Sequence, residues 1–285
     1  MKLGVLSDIH CGYRPLAACL DMLLERGAEG FLLLGDYVSD LPNPERTMEM
    51  LRALSAQYPC WAVRGNRENS MLERREGSCR NWRYDSGSGN MLYSAENLSE
   101  ESLAWFRSLP ITRRVDFDGL PSLRLCHGTP GAVRGLLSEG DGSVEAELEK
   151  LDADWLLGGH NHVQMLVTCG GKTYLNPGTV RMRDKAQCAL LTGENGRWTA
   201  ELFTLDYDVK DYVREIIDSG FHDVAPVYVR GILYEMITGK DIIDELVGRA
   251  FRYQRGTDLT PEEVEACWQR AGRELNIMEV ETWIC

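Results

Sequence analysis

Short apolar runs alternate with helical patterns over the first part of the chain. Residues 3–6, 31–34 and 60–63 have the length of buried strands, and leucines at helical spacing lie between the first two runs. This alternation predicts βαβ units with a parallel sheet. A polar cluster follows each run, namely SDIH, GDYVSD and RGNRE. Because open α/β sheets bind ligands at the carboxyl ends of their strands, we expect these polar side chains to lie together.

The pattern changes from about residue 111 to closely spaced β-like runs. These runs are residues 111–117, 123–126, 155–157, 163–168, 173–175, 186–191 and 198–205. They predict a second sheet packed on the first. Between the two halves, residues 77–97 are rich in Gly, Ser and Asn, which predicts a long surface loop that is either a functional lid or a disordered connector.

Residues after 207 have a helical pattern. Thr260, Pro261 and Glu263 form a capping-box signature, and apolar side chains on one helical face follow it. A second amphipathic stripe covers residues 242–250. We therefore expect a core of residues 1–205 and a small helical extension, residues 206–285, packed on that core.

Composition and charge narrow the function classes. The 285 residues carry a formal net charge of −13, and residues 206–285 hold 17 acidic and 9 basic side chains, which disfavours a nucleic-acid or anionic-membrane surface there. No apolar run approaches the roughly 18 residues of a spanning helix, and we expect a cytoplasmic protein. The nine cysteines form no CxxC pair, which favours free thiols over a disulfide framework or a zinc-thiolate site.

Candidate chemistry lies in short motifs that use four of the five histidines. The candidate metal ligands are Asp8, His10, Asp36, Asn66, His127, His160 and His162. The D-x-H and H-x-H pairs suggest alternate residues of extended segments, whose side chains point the same way and can converge on one ion. Two aspartates, four histidines and one asparagine suit Mn, Fe or Zn rather than a thiolate site.

Each motif alone also has an ordinary structural explanation. A single histidine in an apolar strand is often a core residue, and GD or GN after a strand is often only a turn. Five motifs together, most with a flanking glycine that lets the backbone approach a ligand, favour a two-metal site.

These motifs, together with the NPGT sequence of residues 176–179, resemble the calcineurin-like metallophosphoesterase family. The resemblance implies a four-layer αββα sandwich of two mixed sheets with a dinuclear metal site. One divalent cation would be held by Asp8, His10, Asp36 and His162, and the second by Asp36, Asn66, His127 and His160. Mn is the expected metal, with Fe, Zn, Ni or Mg as alternatives. The shared Asp36 would offset the repulsion between the cations, and a bridging hydroxide would attack phosphorus.

One departure from the family pattern bears on the substrate. Many members have a histidine after the GN pair that donates a proton to the leaving group, whereas this chain has Arg67. Arginine stays protonated and cannot be a general acid, so Arg67 either holds a phosphate or forms a salt bridge with Glu68 or Glu73. Glu68 could itself donate the proton if its pKa is raised. A missing acid favours good leaving groups, as in phosphoanhydrides and activated diesters.

Six arginines within residues 64–83 suggest an anionic substrate funnel, to which Arg181 and Arg183 would contribute. The expected catalytic residues are thus Asp36, Asn66, Arg67 and His127, and the expected substrate-binding residues are Arg67, Arg181 and Arg183.

The leading hypothesis is a metal-dependent hydrolase of nucleotide-like phosphoanhydrides or phosphodiesters. The tail sequence that begins at residue 205 resembles the branch of bacterial diadenosine tetraphosphate hydrolases and related YfcE-type phosphoesterases. A phosphodiesterase of small or cyclic nucleotides and a serine/threonine protein phosphatase are alternatives. A non-catalytic scaffold like the retromer subunit of the family is disfavoured because all seven ligands are present. We expect the protein to bind a small phosphorylated substrate, and neither a nucleic-acid polymer nor a membrane. Whether it forms a homodimer is left open by the sequence.

Overall fold

Ten strands form the centre of the protein in a computed structural model that describes residues 1–181, 183–255 and 259–284. The strands are β1 Lys2–Leu6, β2 Gly30–Leu33, β3 Cys60–Ala62, β4 Thr112–Val115, β5 Leu123–Cys126, β6 Trp155–Leu157, β7 Gln164–Cys169, β8 Lys172–Pro177, β9 Ala186–Glu194 and β10 Arg197–Leu205. One sheet has the order β10-β9-β1-β2-β3, and the other has the order β4-β5-β6-β8-β7. Both sheets are mixed.

The helices flank these sheets. They are α1 Tyr13–Glu25, α2 Pro44–Gln57, α3 Asn66–Arg75, α4 Gly89–Glu96, α5 Glu100–Ser108, α6 Ser143–Lys150, α7 Val209–Asp218, α8 Pro226–Thr238, α9 Ile243–Tyr253 and α10 Pro261–Glu274. Two short 3-10 helices are Phe221–Asp223 and Val280–Ile284.

The parallel sheet predicted from the first apolar runs is confirmed, since β1 pairs parallel with β2 and β2 with β3. The assignment of the last two runs is wrong. Strands β9 and β10 extend the first sheet, because β9 pairs antiparallel with β1 and β10 pairs with β9. Hydrophobic pattern predicts strands well, but the sheet that a strand joins depends on long-range pairing.

Buried side chains separate the structure into layers. Leu3, Val5 and Leu32 of the first sheet pack against Leu125 and Leu157 of the second, which forms the interior between the sheets. Helices α1 and α2 cover the outer face of the first sheet, and α6 covers the outer face of the second. The expected four-layer αββα sandwich is therefore confirmed.

The described residues after β10 are mainly helical, as expected. Helix α10 begins after Thr260, whose hydroxyl accepts a hydrogen bond from the Glu263 amide while Glu263 bonds back to the Thr260 amide, so the predicted capping box is present. Helix α9 contains the second amphipathic stripe. Helices α7 and α8 contribute Tyr212 and Ile232 to the same apolar cluster as α1 and α2. The division at residue 205 stays a prediction.

The prediction of a loop over residues 77–97 is wrong in its second half. Helix α4 occupies residues 89–96. Residues from the helical part after β10 contact the start of this helix and the residues just before it. Glu265 accepts hydrogen bonds from the Ser86 amide (2.9 Å) and hydroxyl (2.7 Å). A Cβ atom on Gly89 would lie 1.8 Å from the Val224 carbonyl oxygen. Gly and Ser, which usually indicate a loop, serve here for close packing between distant segments.

Two expectations about composition can be compared with the described ranges. Every cysteine in them is a free thiol, and Cys11 is fully buried, which fits a packing role. The ninth cysteine, Cys285, lies outside the described residues. Within the described part of the chain, no helix has both the length and the apolar character to cross a membrane.

Candidate metal centre

The seven candidate ligands meet at one end of the sandwich. Asp8 and His10 follow β1, Asp36 follows β2, and Asn66 begins α3 just after β3. The second sheet contributes His127 after β5, and His160 and His162 after β6. The polar clusters that follow consecutive strands are thus brought together, as the sheet-edge argument predicted.

The ligand atoms form two groups that could each hold a metal ion. One group is Asp8, His10 and His162, and the other is Asp36, His127 and His160. In the first group, His162 Nε2 lies 3.2 Å from Asp8 Oδ1 and 3.2 Å from His10 Nε2.

In the second group, His127 Nε2 lies 3.4 Å from Asp36 Oδ2 and 3.1 Å from the Asn66 side-chain oxygen. Ligand atoms bound about 2.1 Å from one ion lie roughly 3.0–3.5 Å apart, so this spacing suits divalent cations.

The two aspartates each direct one oxygen to the centre. Asp8 Oδ2 accepts hydrogen bonds from the Ser7 hydroxyl (2.6 Å) and the His160 amide (2.9 Å), whereas Oδ1 is buried and finds no hydrogen-bond donor among the described residues. Asp36 Oδ1 accepts from the Arg67 amide (2.8 Å). Its other oxygen lies 4.0 Å from His10 Nε2, in addition to its contact with His127. Asp36 therefore reaches ligands of both groups.

Two histidines are oriented through their other ring nitrogen. His127 Nδ1 lies 2.9 Å from the Leu34 carbonyl oxygen, so this nitrogen carries the proton and Nε2 is directed to the centre. His10 Nδ1 lies 3.3 Å from the Ser39 hydroxyl and 3.5 Å from Asp40 Oδ2. Such partners fix the tautomer and the ring orientation that a metal requires.

The backbone at the ligands is left-handed, not extended. Positive φ angles occur at Asp8 (53°), His10 (48°), Asp36 (54°), His160 (71°) and His162 (59°). Our explanation of the D-x-H and H-x-H pairs was therefore wrong in its geometry. The side chains converge because the chain turns sharply after each strand, and L-residues adopt this conformation at a cost of about 1–2 kcal/mol each.

Glycines allow these turns to touch each other. A Cβ atom on Gly65 would lie 2.2 Å from Asp36 Oδ1, and one on Gly159 would lie 2.5 Å from Asp8 Oδ2. Gly35 has a φ of 95°, and a Cβ atom on it would likewise lie too close to the backbone of Gly65. The flanking glycines noted in the sequence thus serve close approach, as expected.

The electrostatics of the site favour a cation. Burial raises the pKa of Asp36, but the neighbouring His127 outweighs this effect and holds the pKa at about 2. Burial lowers the pKa of His127, yet Asp36 and Asp8 raise it to about 10. Carboxylates that hold a proton on a buried imidazole would attract a divalent cation to the same place.

Glu68 is buried behind the metal centre and is aimed at the backbone. One of its oxygens accepts from the Gly65 amide (2.7 Å) and the Asp36 amide (2.9 Å), and the other accepts from the Tyr37 amide (2.8 Å). Burial and the charge of Asp36 raise the pKa of Glu68 to about 7. Its fully buried position and backbone partners favour a role in holding the two ligand turns over proton donation to a substrate.

The three candidate substrate arginines line a cavity of about 230 Å³ beside His162. Arg67 Nε lies 3.7 Å from Asp36 Oδ2, and its Nη2 lies 3.5 Å from Asp40 Oδ1. Its ionic partners are thus these aspartates, and neither Glu68 nor Glu73 is among them. Arg181 is buried and lies 3.6 Å from Asp40, whereas Arg183 pairs with Asp241 at the cavity wall.

Three arginines of the predicted funnel have partners outside the cavity. Arg74 donates to the Cys79 carbonyl, Arg75 pairs with Glu100, and Arg80 donates to the Gly77 carbonyl. Arg74 and Arg80 thus bond within their own segment, and Arg75 connects it to α5.

Sequence reasoning missed three residues around the cavity, namely Asp40, Tyr228 and Glu235. The first ends the GDYVSD cluster, so its position after a ligand turn was an available signal. Tyr228 and Glu235 belong to α8, and no local pattern could place a helix so distant in the sequence at the metal centre.

Comparisons with known proteins give the same fold. The hypothetical protein PH1004 from Pyrococcus horikoshii OT3 superposes with a TM-score of 0.68 at 20% identity, over 79% of this chain and 96% of that one. A metallophosphoesterase from Sphaerobacter thermophilus superposes with a TM-score of 0.62 at 19% identity, over 79% and 97%. The protein MJ0912 of Methanocaldococcus jannaschii is 24% identical over 218 residues, which is 75% of this chain and 86% of that protein.

The family comparison covers the sandwich and the whole metal centre. Residues 1–196 match the calcineurin-like phosphoesterase superfamily domain, so the match includes both sheets up to β9 and all seven candidate ligands. The chain therefore belongs to the calcineurin-like phosphoesterase superfamily.

Proposed function

We propose that the protein is a metal-dependent hydrolase of phosphodiester or phosphoanhydride bonds in small nucleotide-like substrates. The observation that carries this proposal is the pair of neighbouring ligand groups, with Asp36 Oδ2 of one group 4.0 Å from His10 of the other and with Asp8 Oδ1 buried and without a hydrogen-bond donor. A buried carboxylate oxygen left unpaired is costly, and a cation at this position would remove the cost.

The proposed roles follow from the positions of the side chains. Asp8, His10, Asp36 and His162 would hold one divalent cation, and Asp36, Asn66, His127 and His160 the other. When bound, two such cations supply Lewis acidity to the phosphoryl oxygens and lower the pKa of an attacking water. Asp8 and Asp36 are each fixed by a backbone amide, so their other oxygens are held in place before the cations bind.

Arg67 would stabilise negative charge without donating a proton. Its guanidinium lies within 4 Å of both Asp36 and Asp40, at the border between the metal centre and the cavity. The charge of Asp40 keeps the pKa of Arg67 above its ordinary value despite burial, so the group stays cationic. This arrangement supports substrates whose leaving group departs as a stable anion.

A substrate panel on metal-stripped protein reconstituted with Mn tests the proposal. We expect hydrolysis of bis(4-nitrophenyl) phosphate and of dinucleoside polyphosphates, with slower hydrolysis of alkyl phosphomonoesters. Asp36→Asn is expected to lower kcat/KM at least 100-fold, whereas the exposed control Asp211→Asn retains it. Undiminished hydrolysis by Asp36→Asn would contradict the proposed site.

The substrate preference has its own test in Arg67→His. A histidine at this position can protonate an alkoxide, so we expect kcat/KM for alkyl monoesters to rise relative to that for nucleotide anhydrides. An unchanged ratio would show that Arg67 does not set the preference. Replacement of Mn by Zn, Fe, Ni or Mg in the same assay would identify the metals that support turnover.

A further inference from the structure

The cavity beside the metal centre is walled by the C-terminal helices. Asp40, Arg67 and Arg181 line it together with Tyr228 and Glu235 of α8. His162, a candidate ligand, also lines the cavity. A substrate bound at the metals would therefore extend along these arginines towards α8.

The arginines in this cavity have unused hydrogen-bond donors. Arg67 Nε, Arg181 Nε and Arg181 Nη1 are buried and find no acceptor among the described residues. Arg181 is only 6% exposed, and its nearest carboxylates lie 3.6 and 4.0 Å away, which is too far for hydrogen bonds. Each buried donor without a hydrogen-bond acceptor lowers the stability of the fold by about 1–3 kcal/mol.

One oxygen of each neighbouring carboxylate is engaged by other donors, and the remaining oxygen is the one nearest to Arg181. Asp40 Oδ1 accepts from Asn90 (3.1 Å) and from the Tyr228 hydroxyl (3.2 Å). One oxygen of Glu235 accepts from the amides of Ile242 (2.9 Å) and Ile243 (3.0 Å). These carboxylates keep the guanidinium groups charged and in place but leave their donors free for another acceptor.

We infer that Arg67 and Arg181 form a subsite for a second phosphoryl group, one that lies beyond the phosphorus attacked at the metals. A tetrahedral oxyanion can accept from several donors of the two planar guanidinium groups at once, which a single water cannot do. The inference rests on the proposed function and deepens it, because it selects substrates with two or more phosphoryl groups. It also gives α8 a role in binding, since this helix closes the subsite.

Two non-hydrolysable ligands test the subsite directly. Methylphosphonate carries one phosphoryl group and methylenediphosphonate carries two, and calorimetry on the Mn-loaded protein measures the affinity of each. We expect wild-type protein to prefer methylenediphosphonate by at least about tenfold. In Arg181→Lys, where one ammonium replaces the planar fork, the preference should fall below about threefold.

The control for this variant is Arg230→Lys, which alters a half-buried arginine of α8 that pairs with Glu281 away from the cavity. It should keep the full preference. Asp244→Asn is a second variant in case Arg181→Lys does not fold, because Asp244 is exposed and lines the cavity. Loss of its negative charge should raise the affinity for methylenediphosphonate about threefold and leave that for methylphosphonate unchanged.

The outcomes separate the two proposals. Wild-type-like preference in Arg181→Lys, or an unaltered affinity in Asp244→Asn, would overturn the subsite. A protein that hydrolyses bis(4-nitrophenyl) phosphate without preferring the bisphosphonate keeps the proposed function and loses the subsite. A protein that prefers the bisphosphonate but hydrolyses no member of the substrate panel keeps the subsite and loses the proposed function.

Discussion

Replacement of Glu68 by glutamine tests whether this carboxylate holds the metal centre together. In the native protein its two oxygens accept three backbone hydrogen bonds, of 2.7, 2.8 and 2.9 Å, from the turns that carry Asp36 and Asn66. A glutamine amide has one oxygen in place of two, so its NH2 group would face at least one of these donors.

The magnitude follows from the three bonds. If the glutamine oxygen keeps two of them, each weakens from a charge-assisted to a neutral bond, a loss of about 1 kcal/mol apiece. The third amide loses its acceptor in a fully buried position, which costs a further 1–3 kcal/mol or so. Burial of the charge and its repulsion by Asp36, the two effects that raise the pKa of Glu68, are both relieved in the glutamine and offset part of this loss, so we expect about 1–3 kcal/mol of destabilisation.

The chain offers a matched control in the capping box of α10. Glu263 accepts a single hydrogen bond, from the Thr260 amide at 2.8 Å, and it is exposed. Glu263→Gln should therefore cost under about 1 kcal/mol. Urea denaturation followed by circular dichroism measures both variants, and a calorimetric Mn titration should show at least tenfold weaker binding for Glu68→Gln alone. Equal unfolding midpoints for the two variants would refute the reasoning.

Three further predictions concern the connections around the site. Asp40→Asn removes the shared ionic partner of Arg67 and Arg181 and the carboxylate beside His10, so Mn affinity should fall roughly tenfold in a calorimetric titration, and unchanged affinity would contradict this role. Gly89→Ala places a Cβ atom against a backbone carbonyl and should lower stability by about 2 kcal/mol or more, whereas Gly131→Ala, whose Cβ atom would meet nothing within 4 Å, should be nearly neutral in the same urea experiment. Thr260→Ala removes the cap of α10 and should cost about 1 kcal/mol, and a loss below 0.3 kcal/mol or so would show that the last helix frays without consequence.

Local pattern was sufficient for the parts of the fold that depend on neighbours in sequence. The apolar runs at β1, β2 and β3 and the capping box at Thr260 were each recognisable because strand burial and helix capping act over a few residues. The polar clusters after the strands also predicted which side chains would meet, since parallel strands share a carboxyl edge.

Features that depend on distant contacts were not predictable in the same way. Strand β9 joins the first sheet through pairing with β1, which lies more than 180 residues away, and β10 follows through its pairing with β9. Helix α4 forms in a Gly- and Ser-rich segment because Met91 and Leu92 are buried against other elements. Tyr228 reaches Asp40 across 188 positions, so its place at the cavity could be known only from the tertiary structure.

The left-handed backbone at five of the seven candidate ligands has a consequence for the evolution of the chain. At about 1 kcal/mol or more per residue, the strain approaches the entire net stability of an ordinary domain. Glycine at any of these positions would release that strain, so substitutions that abolish metal binding can leave the fold more robust. Retention of all five non-glycine residues therefore requires continuing selection for the chemistry itself, since selection for folding alone would favour their loss.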